Sequence, residues 1–170
     1  MAAFLVLAFV TLQRLGELWL SRRNTAALLA RGAVEVAPGH YPLIVILHAA
    51  WLGALWLAAP GQALQLGWLA LFAVLQLVRV WVVATLGRRW TTRIIVLPGE
   101  PLIEAGPYRY LSHPNYAVVV GEIAALPLAL GLPWHALIFS VLNAAVLAIR
   151  VHAERAALAA SRSKARKPSG

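Results

Sequence analysis

Gly106-Pro107-Tyr108-Arg109-Tyr110-Leu111-Ser112-His113-Pro114-Asn115-Tyr116 is a polar, aromatic segment set between long apolar runs. Pro98, Gly99, Pro101, Gly106, Pro107 and Pro114 exclude regular helix from the stretch around Glu100 to Tyr116 and hold its backbone extended or turned. A stiff loop of this kind suits a polar ligand held by backbone hydrogen bonds and aromatic packing, and Tyr108, Tyr110, His113 and Tyr116 supply the rings and donors. The bland alternative is a belt of Tyr and His at the level of lipid headgroups. Further along, Arg150 and Glu154 stand one helical turn apart. They are either an ordinary i,i+4 ion pair or a cation and an acid serving a site.

Other charges fall inside apolar runs. Arg14, Glu17, Ser21 and Asn24 follow one another at steps of three, four and three, so they share one helical face. Charge within a membrane span is costly, faces the bundle interior and is normally paired. Arg14 and Glu17 therefore either fix packing or shape a polar cavity that touches substrate. Glu122 lies almost two turns beyond Tyr116, too deep to snorkel, and needs a partner or a proton. Pairing with Arg79 or Arg14 is one reading and a general base the other. His48, mid-span, reads as a hydrogen-bonded core histidine. The five histidines show no His-x-x-x-His spacing and cysteine is absent, so no metal site, disulfide or thiol nucleophile is expected.

The elements that position these residues are membrane helices. The 170 residues are 61% hydrophobic and 12% charged, with mean hydropathy +0.75, well above the roughly 45–50% apolar content of soluble domains. Runs long enough to span a bilayer cover Ala2 to Leu20, Tyr41 to Ala59, Leu64 to Leu86, a shorter Tyr116 to Leu130, and Trp134 to Val151. The expected fold is all-α, a polytopic bundle of about five transmembrane helices. It forms a single domain: three N-terminal spans (1–86), a loop (87–115), a helical hairpin with its site helix (116–160) and a basic tail (161–170). The first run lacks a basic n-region and is interrupted by Arg14 and Glu17, so it reads as a retained helix and not as a cleaved signal.

The net charge of +9 is explained by topology, with no nucleic-acid partner implied. Arg22, Arg23 and Arg31, then Arg88, Arg89, Arg93 and Arg109, then Arg155 and the tail fall in alternate connections, whereas the turns at 59–63 and 131–133 carry no charge. The positive-inside rule places the N-terminus outside and the loop and C-terminus in the cytoplasm, with the tail near anionic lipids. Gly131-Leu132-Pro133 permits only a tight link, so the last two spans form an antiparallel hairpin that brings Asn115 and Tyr116 level with Arg150 and Glu154.

Gly106-Pro107-Tyr108, His113-Pro114-Asn115-Tyr116, and Arg150 with Glu154 together resemble the isoprenylcysteine carboxyl methyltransferase family of integral membrane methyltransferases, over about the C-terminal half. The resemblance implies S-adenosylmethionine bound at the cytoplasmic end and a lipophilic acceptor entering from the bilayer. Glu100, Pro101, Leu102 and Ile103 would contact the cofactor through their backbone, beside Tyr108. His113, Pro114, Asn115 and Tyr116 would line its pocket, Glu154 would hold its polar end, and Arg150 would face the acceptor. Ser112 and Arg155 depart from the pattern, which has Arg and Glu there. Gln13-Arg14-x-x-Glu17, Ser21-Arg22-Arg23-Asn24, His40-Tyr41-Pro42 and His48 look like a bacterial branch that O-methylates alkylpyrones or alkylresorcinols, which points to a bacterial inner membrane.

Methyl transfer from a sulfonium is an in-line displacement, so the protein chiefly aligns oxygen, methyl carbon and sulfur. Arg150 is expected to stabilise an anionic carboxylate, phenol or enol oxygen, with Glu122 or a histidine as proton acceptor. Two rivals remain in view. An NADPH-dependent sterol-type reductase shares His-Pro-Asn-Tyr but places its Gly-Glu pair sooner than Gly121-Glu122, and a non-enzymatic membrane scaffold would bind no cofactor.

Overall fold

The computed structural model describes the backbone of residues 1–101 and 103–165 and the side chains of these as far as Glu154. Leu102, the Arg155 side chain and the tail beyond residue 165 lie outside the described residues. Among the described residues the helices are α1 (Ala2–Ala30), α2 (Tyr41–Ala58), α3 (Leu66–Leu86), α4 (Pro114–Ala129) and α5 (Pro133–Ala165). α1, α2, α3 and α5 are long and apolar enough to cross a membrane. α4, with 16 residues, rises only about 24 Å, short of the ~30 Å hydrocarbon core. Phe4, Phe9, Leu57, Leu77 and Trp134 stand exposed on the outside, the surface of a bundle immersed in lipid.

α1 runs ten residues past the Leu20 boundary expected from its apolar run. Arg22 and Arg23 are therefore helical and not in a loop. Nothing between Glu17 and Arg31 breaks a helix, and Ala26, Ala27, Leu28 and Leu29 are strong helix formers. Gly32, at φ +87°, ends it. α5 likewise continues past Val151, through Ala, Leu and Glu, for 33 residues in all.

α3 packs on α4, α4 on α5, α5 on α2 and α2 on α1. Leu7, Val10, Trp51, Leu55, Phe72 and Ile123 form an apolar core at the end of the bundle away from the arginine-rich connections. Lipid tails are as apolar as these side chains, so apolar burial alone does not choose which helices meet. Interhelical polar contacts must contribute that choice, and they lie nearer the arginine-rich end.

Two connections there are tied together. The α1–α2 link contributes β1 (Val34–Glu35) and the α3–α4 link β2 (Ile95–Val96), paired antiparallel with Val34 opposite Val96 and Glu35 opposite Ile95. Two-residue strands leave no readable period, so neither was expected. Further along, a 3₁₀ turn at Gly106–Arg109 rests on α3. Gly106 has φ +56°, and a Cβ there would lie 2.5 Å from Thr85 Oγ1 and 3.2 Å from Trp81 Nε1, so only glycine permits this approach. At the far end α4 and α5 form the expected antiparallel hairpin, closed by Leu132 N–H donating to Pro127 O at 2.8 Å.

Candidate active site

The hairpin brings the first turn of α4 against Arg150 and Glu154 of α5. Tyr116 OH donates to Glu154 Oε2 at 2.6 Å and accepts from Arg150 Nε at 3.0 Å. His113 stacks on Tyr116, with ring centroids 5.0 Å apart and planes 12° from parallel, and its Nδ1 lies 4.0 Å from Glu154 Oε2. Pro114 at the first position of α4 allows the helix to begin immediately after His113, which sets ring beside ring. Tyr108 lies near the same corner, where burial, with a contribution from the Glu154 charge, pushes its phenol up to about 12. Asn115 Oδ1 is buried with no hydrogen-bond partner among the described residues.

Arg150 has a second anchor, its Nη1 donating to Thr92 O at 2.8 Å. Thr92 also meets α1 and α2. Its N–H donates to Ser21 Oγ at 2.9 Å, the two hydroxyls are 2.8 Å apart, and Thr92 Oγ1 donates to Tyr41 OH at 3.1 Å. Asn24 Nδ2 holds the same loop by donating to Trp90 O at 2.8 Å and Gly87 O at 3.1 Å. Three helices thus converge on one threonine. The Ser21 and Asn24 positions on the polar face of α1 are spent on this junction.

Deeper in the bundle the other two residues of that face enter an ion cluster. Arg79 is bidentate to Glu122, Nε to Oε1 at 2.8 Å and Nη2 to Oε2 at 2.7 Å. Arg14 Nη2 reaches Glu122 Oε2 at 2.7 Å and its Nη1 reaches Glu17 Oε2 at 2.9 Å. Gln76 Nε2 adds a fourth donor to Glu122 at 2.8 Å. Two guanidiniums and two carboxylates cancel formally. That balance offsets the several kcal/mol that each buried ion would cost alone. Four donors fill the lone-pair sites of the Glu122 carboxylate, so this geometry leaves it no free site to take a proton from a substrate. It holds Arg14 and Arg79 in place.

Between corner and cluster lies a cavity of about 270 Å³. Arg150, Tyr116, Asn115 and Thr92 line one part and Arg14, Glu17, His48 and Arg79 another. The rest of the wall is mostly aliphatic, with Leu15, Leu18, Ile44, Val146 and Leu147 among its members.

The structure therefore gathers Tyr108, His113, Pro114, Asn115, Tyr116, Arg150 and Glu154 at one corner, and Arg14 and Glu17 on the cavity wall below. Glu100 and Pro101 are engaged elsewhere: Glu100 pairs with Arg31 and, at 3.4 Å, with Arg89 Nε, while Pro101 O accepts from Arg89 Nη2 at 2.8 Å. Ile103 is half-buried in the same stretch. Thr92 and Asn143 were not singled out from sequence, and His48, read as a core residue, reaches the cavity. Spacing offered one signal, since Asn143 stands seven positions before Arg150 in an otherwise apolar run.

These elements define an integral membrane helix bundle with an apolar cavity beneath a polar, arginine-bearing corner. The chain belongs to the isoprenylcysteine carboxyl methyltransferase family, whose description matches residues 68–160, the segment that carries Arg79, Thr92, Tyr116, Glu122, Arg150 and Glu154. It is accordingly a membrane methyltransferase. The chain is 35% identical over 164 residues to YpbQ, an uncharacterized protein of Bacillus subtilis strain 168, a match covering 91% of this chain and 95% of that one. It is 29% identical over 153 residues to an uncharacterized protein of Haemophilus influenzae, covering 85% and 88%. No solved structure matches the chain.

Proposed function

We propose that the protein transfers the methyl group of S-adenosylmethionine to an oxygen of a lipophilic acceptor that enters the cavity from the bilayer. The observation that carries this reading is the position of Arg150. Its guanidinium is fixed by Tyr116 on one side and Thr92 on the other, and it lines the aliphatic cavity. A cation held in this way can orient and stabilise an anionic carboxylate, phenol or enol oxygen without reorganising.

The corner above it fits the cofactor's polar parts. Asn115 Oδ1 is a buried acceptor in need of a donor, Glu154 offers a carboxylate for an ammonium group, and His113 with Tyr116 presents a stacked aromatic pair. S-adenosylmethionine, when bound, supplies an electrophilic methyl group. Glu154 and Asn115 hold its polar end, Arg150 turns the acceptor oxygen toward it, and the aliphatic wall keeps water out. The arginine-rich end then lies in the cytoplasm of a bacterial cell, by the positive-inside rule. Alkylpyrones and alkylresorcinols are the acceptors we favour, because the polar face of Arg14, Glu17, Ser21 and Asn24 belongs to the pattern that suggested them.

The test is transfer of labelled methyl from S-adenosylmethionine to these lipids by membranes containing the protein. Arg150→Ala should lower kcat/KM by roughly 10²–10³-fold, the cost of losing one preorganised donor to a developing oxyanion. Transfer by Arg150→Ala at the wild-type rate would remove the basis for the proposal, and calorimetric binding of NADPH in place of S-adenosylmethionine would replace it with a reductase.

A further inference from the structure

Ser21, Tyr41 and Arg150 meet at Thr92, one from each of α1, α2 and α5. Seven positions deeper on the same three helices stand Arg14, His48 and Asn143. Seven residues are about two turns, close to 10 Å of rise, so the second trio sits on the same faces as the first and at a common depth. All three line the cavity.

Each of the three brings a polar atom that the protein leaves open. Arg14 Nε is buried without a hydrogen-bond partner among the described residues, although its two terminal nitrogens are paired. Asn143 is 5% exposed, and its side chain makes no hydrogen bond among the described residues. His48 Nδ1 is 2.8 Å from Ile44 O. A carbonyl only accepts, so Nδ1 carries the proton and Nε2 of the neutral ring is an acceptor. Buried polar groups in native proteins are nearly always satisfied. Arg14 Nε is such a buried group. Half-buried His48 and buried Asn143 add polar atoms on the same cavity wall that make no other hydrogen bond among the described residues, and together the three suit a ligand group.

We propose that Arg14, His48 and Asn143 form a second polar subsite that binds a neutral hydroxyl of the acceptor, distinct from the oxygen that is methylated. The reasoning is donor counting. Arg14 Nε and the Asn143 amide can donate, and His48 Nε2 must receive; a hydroxyl does both at once. A carboxylate would face His48 Nε2 lone pair to lone pair, and a carbonyl would leave Nε2 unsatisfied. Side chains lean toward the N-terminus of their own helix, so Arg150 and Asn143 on α5 lean the same way, whereas His48 on α2 leans back toward the level of Arg150 and is the member of the subsite nearest to it. The proposal rests on the cavity being the acceptor site.

The test is tryptophan fluorescence titration of the full chain in phosphatidylcholine–phosphatidylglycerol nanodiscs with 5-pentadecylresorcinol and 3-pentadecylphenol, which differ by one ring hydroxyl. Wild type should bind the resorcinol about tenfold more tightly, as expected for one well-made hydrogen-bond set. Asn143→Leu and His48→Phe should each bring that ratio close to one, and the ratio is insensitive to any fraction that fails to fold. Equal affinities in the wild type, or an unchanged ratio in both variants, would overturn the subsite. Methyl transfer to the same lipids separates the two readings: a tenfold ratio without transfer counts against the methyltransferase assignment and for the subsite. Transfer with a flat ratio counts against the subsite alone.

Discussion

The hydroxyl of Tyr116 lies between Glu154, to which it donates at 2.6 Å, and Arg150 Nε, from which it accepts at 3.0 Å. One oxygen thereby links the acid we propose for the cofactor to the cation we propose for the acceptor. Tyr116→Phe keeps the ring stacked on His113 and removes the link. A hydrogen bond to a charged group contributes about 1.5–3 kcal/mol, so affinity for S-adenosylmethionine, measured by calorimetry, should fall about tenfold or more. The melting temperature should fall as well, since the same two bonds brace α4 against α5 without ligand.

The Arg79–Glu122 pair is a stability element. Glu122→Leu leaves Arg14 and Arg79 buried with one carboxylate between them, and breaking such a pair costs about 3–5 kcal/mol. The melting temperature in detergent should drop markedly for Glu122→Leu. The double variant Glu122→Leu with Arg79→Met should recover most of it, since the uncompensated charge is gone. A proton acceptor would behave differently: its loss would slow methyl transfer while leaving the melting temperature alone.

Gly106→Ala should cost about 2–4 kcal/mol, combining a left-handed φ with an overpacked contact against Thr85 and Trp81. The turn it seats carries Tyr108 toward the corner. Weaker S-adenosylmethionine binding should therefore accompany the lower melting temperature, and Gly106→Ala with Thr85→Ala, which removes the closest clash, should not fully restore binding, because the φ penalty persists.

Tyr108 gives a pH signature. Its phenol is raised from 10.0 to about 12, first by burial and then by Glu154. The folded state holds this proton more tightly than the unfolded chain. The associated stability is complete below pH 10 and is lost as pH rises from 10 to 12. Ultraviolet titration of phenolate absorbance should show a late step in this window whose amplitude Tyr108→Phe reduces.

Much of the architecture could be read from local pattern. Apolar run length gave the helices, and the uncharged Gly131-Leu132-Pro133 turn forced α5 back along α4, so Tyr116 had to meet Arg150 and Glu154. The partners offered for Glu122 were Arg79 or Arg14, and the structure uses both. What escaped was tertiary. Thr92 is a plain residue in a basic loop, and nothing local marks it as the meeting point of three helices. Asn143 and His48 look like isolated polar residues until their seven-residue offset from Arg150 and Tyr41 is seen in three dimensions. The continuation of α1 was hidden because membrane-span length is set by the bilayer, whereas helix length is set by where a breaker falls, here Gly32.

α5 has one further property. Asn143, Arg150 and Glu154 ride on a single unbroken helix of 33 residues, so their separations are set by helical phase and not by loop conformation. Helix stiffness makes α5 a gauge with fixed marks, on which a one-residue insertion between Asn143 and Arg150 would rotate one mark about 100° away from the cavity. Substitutions along such a rod alter one mark at a time; changes in its length turn every mark beyond the insertion.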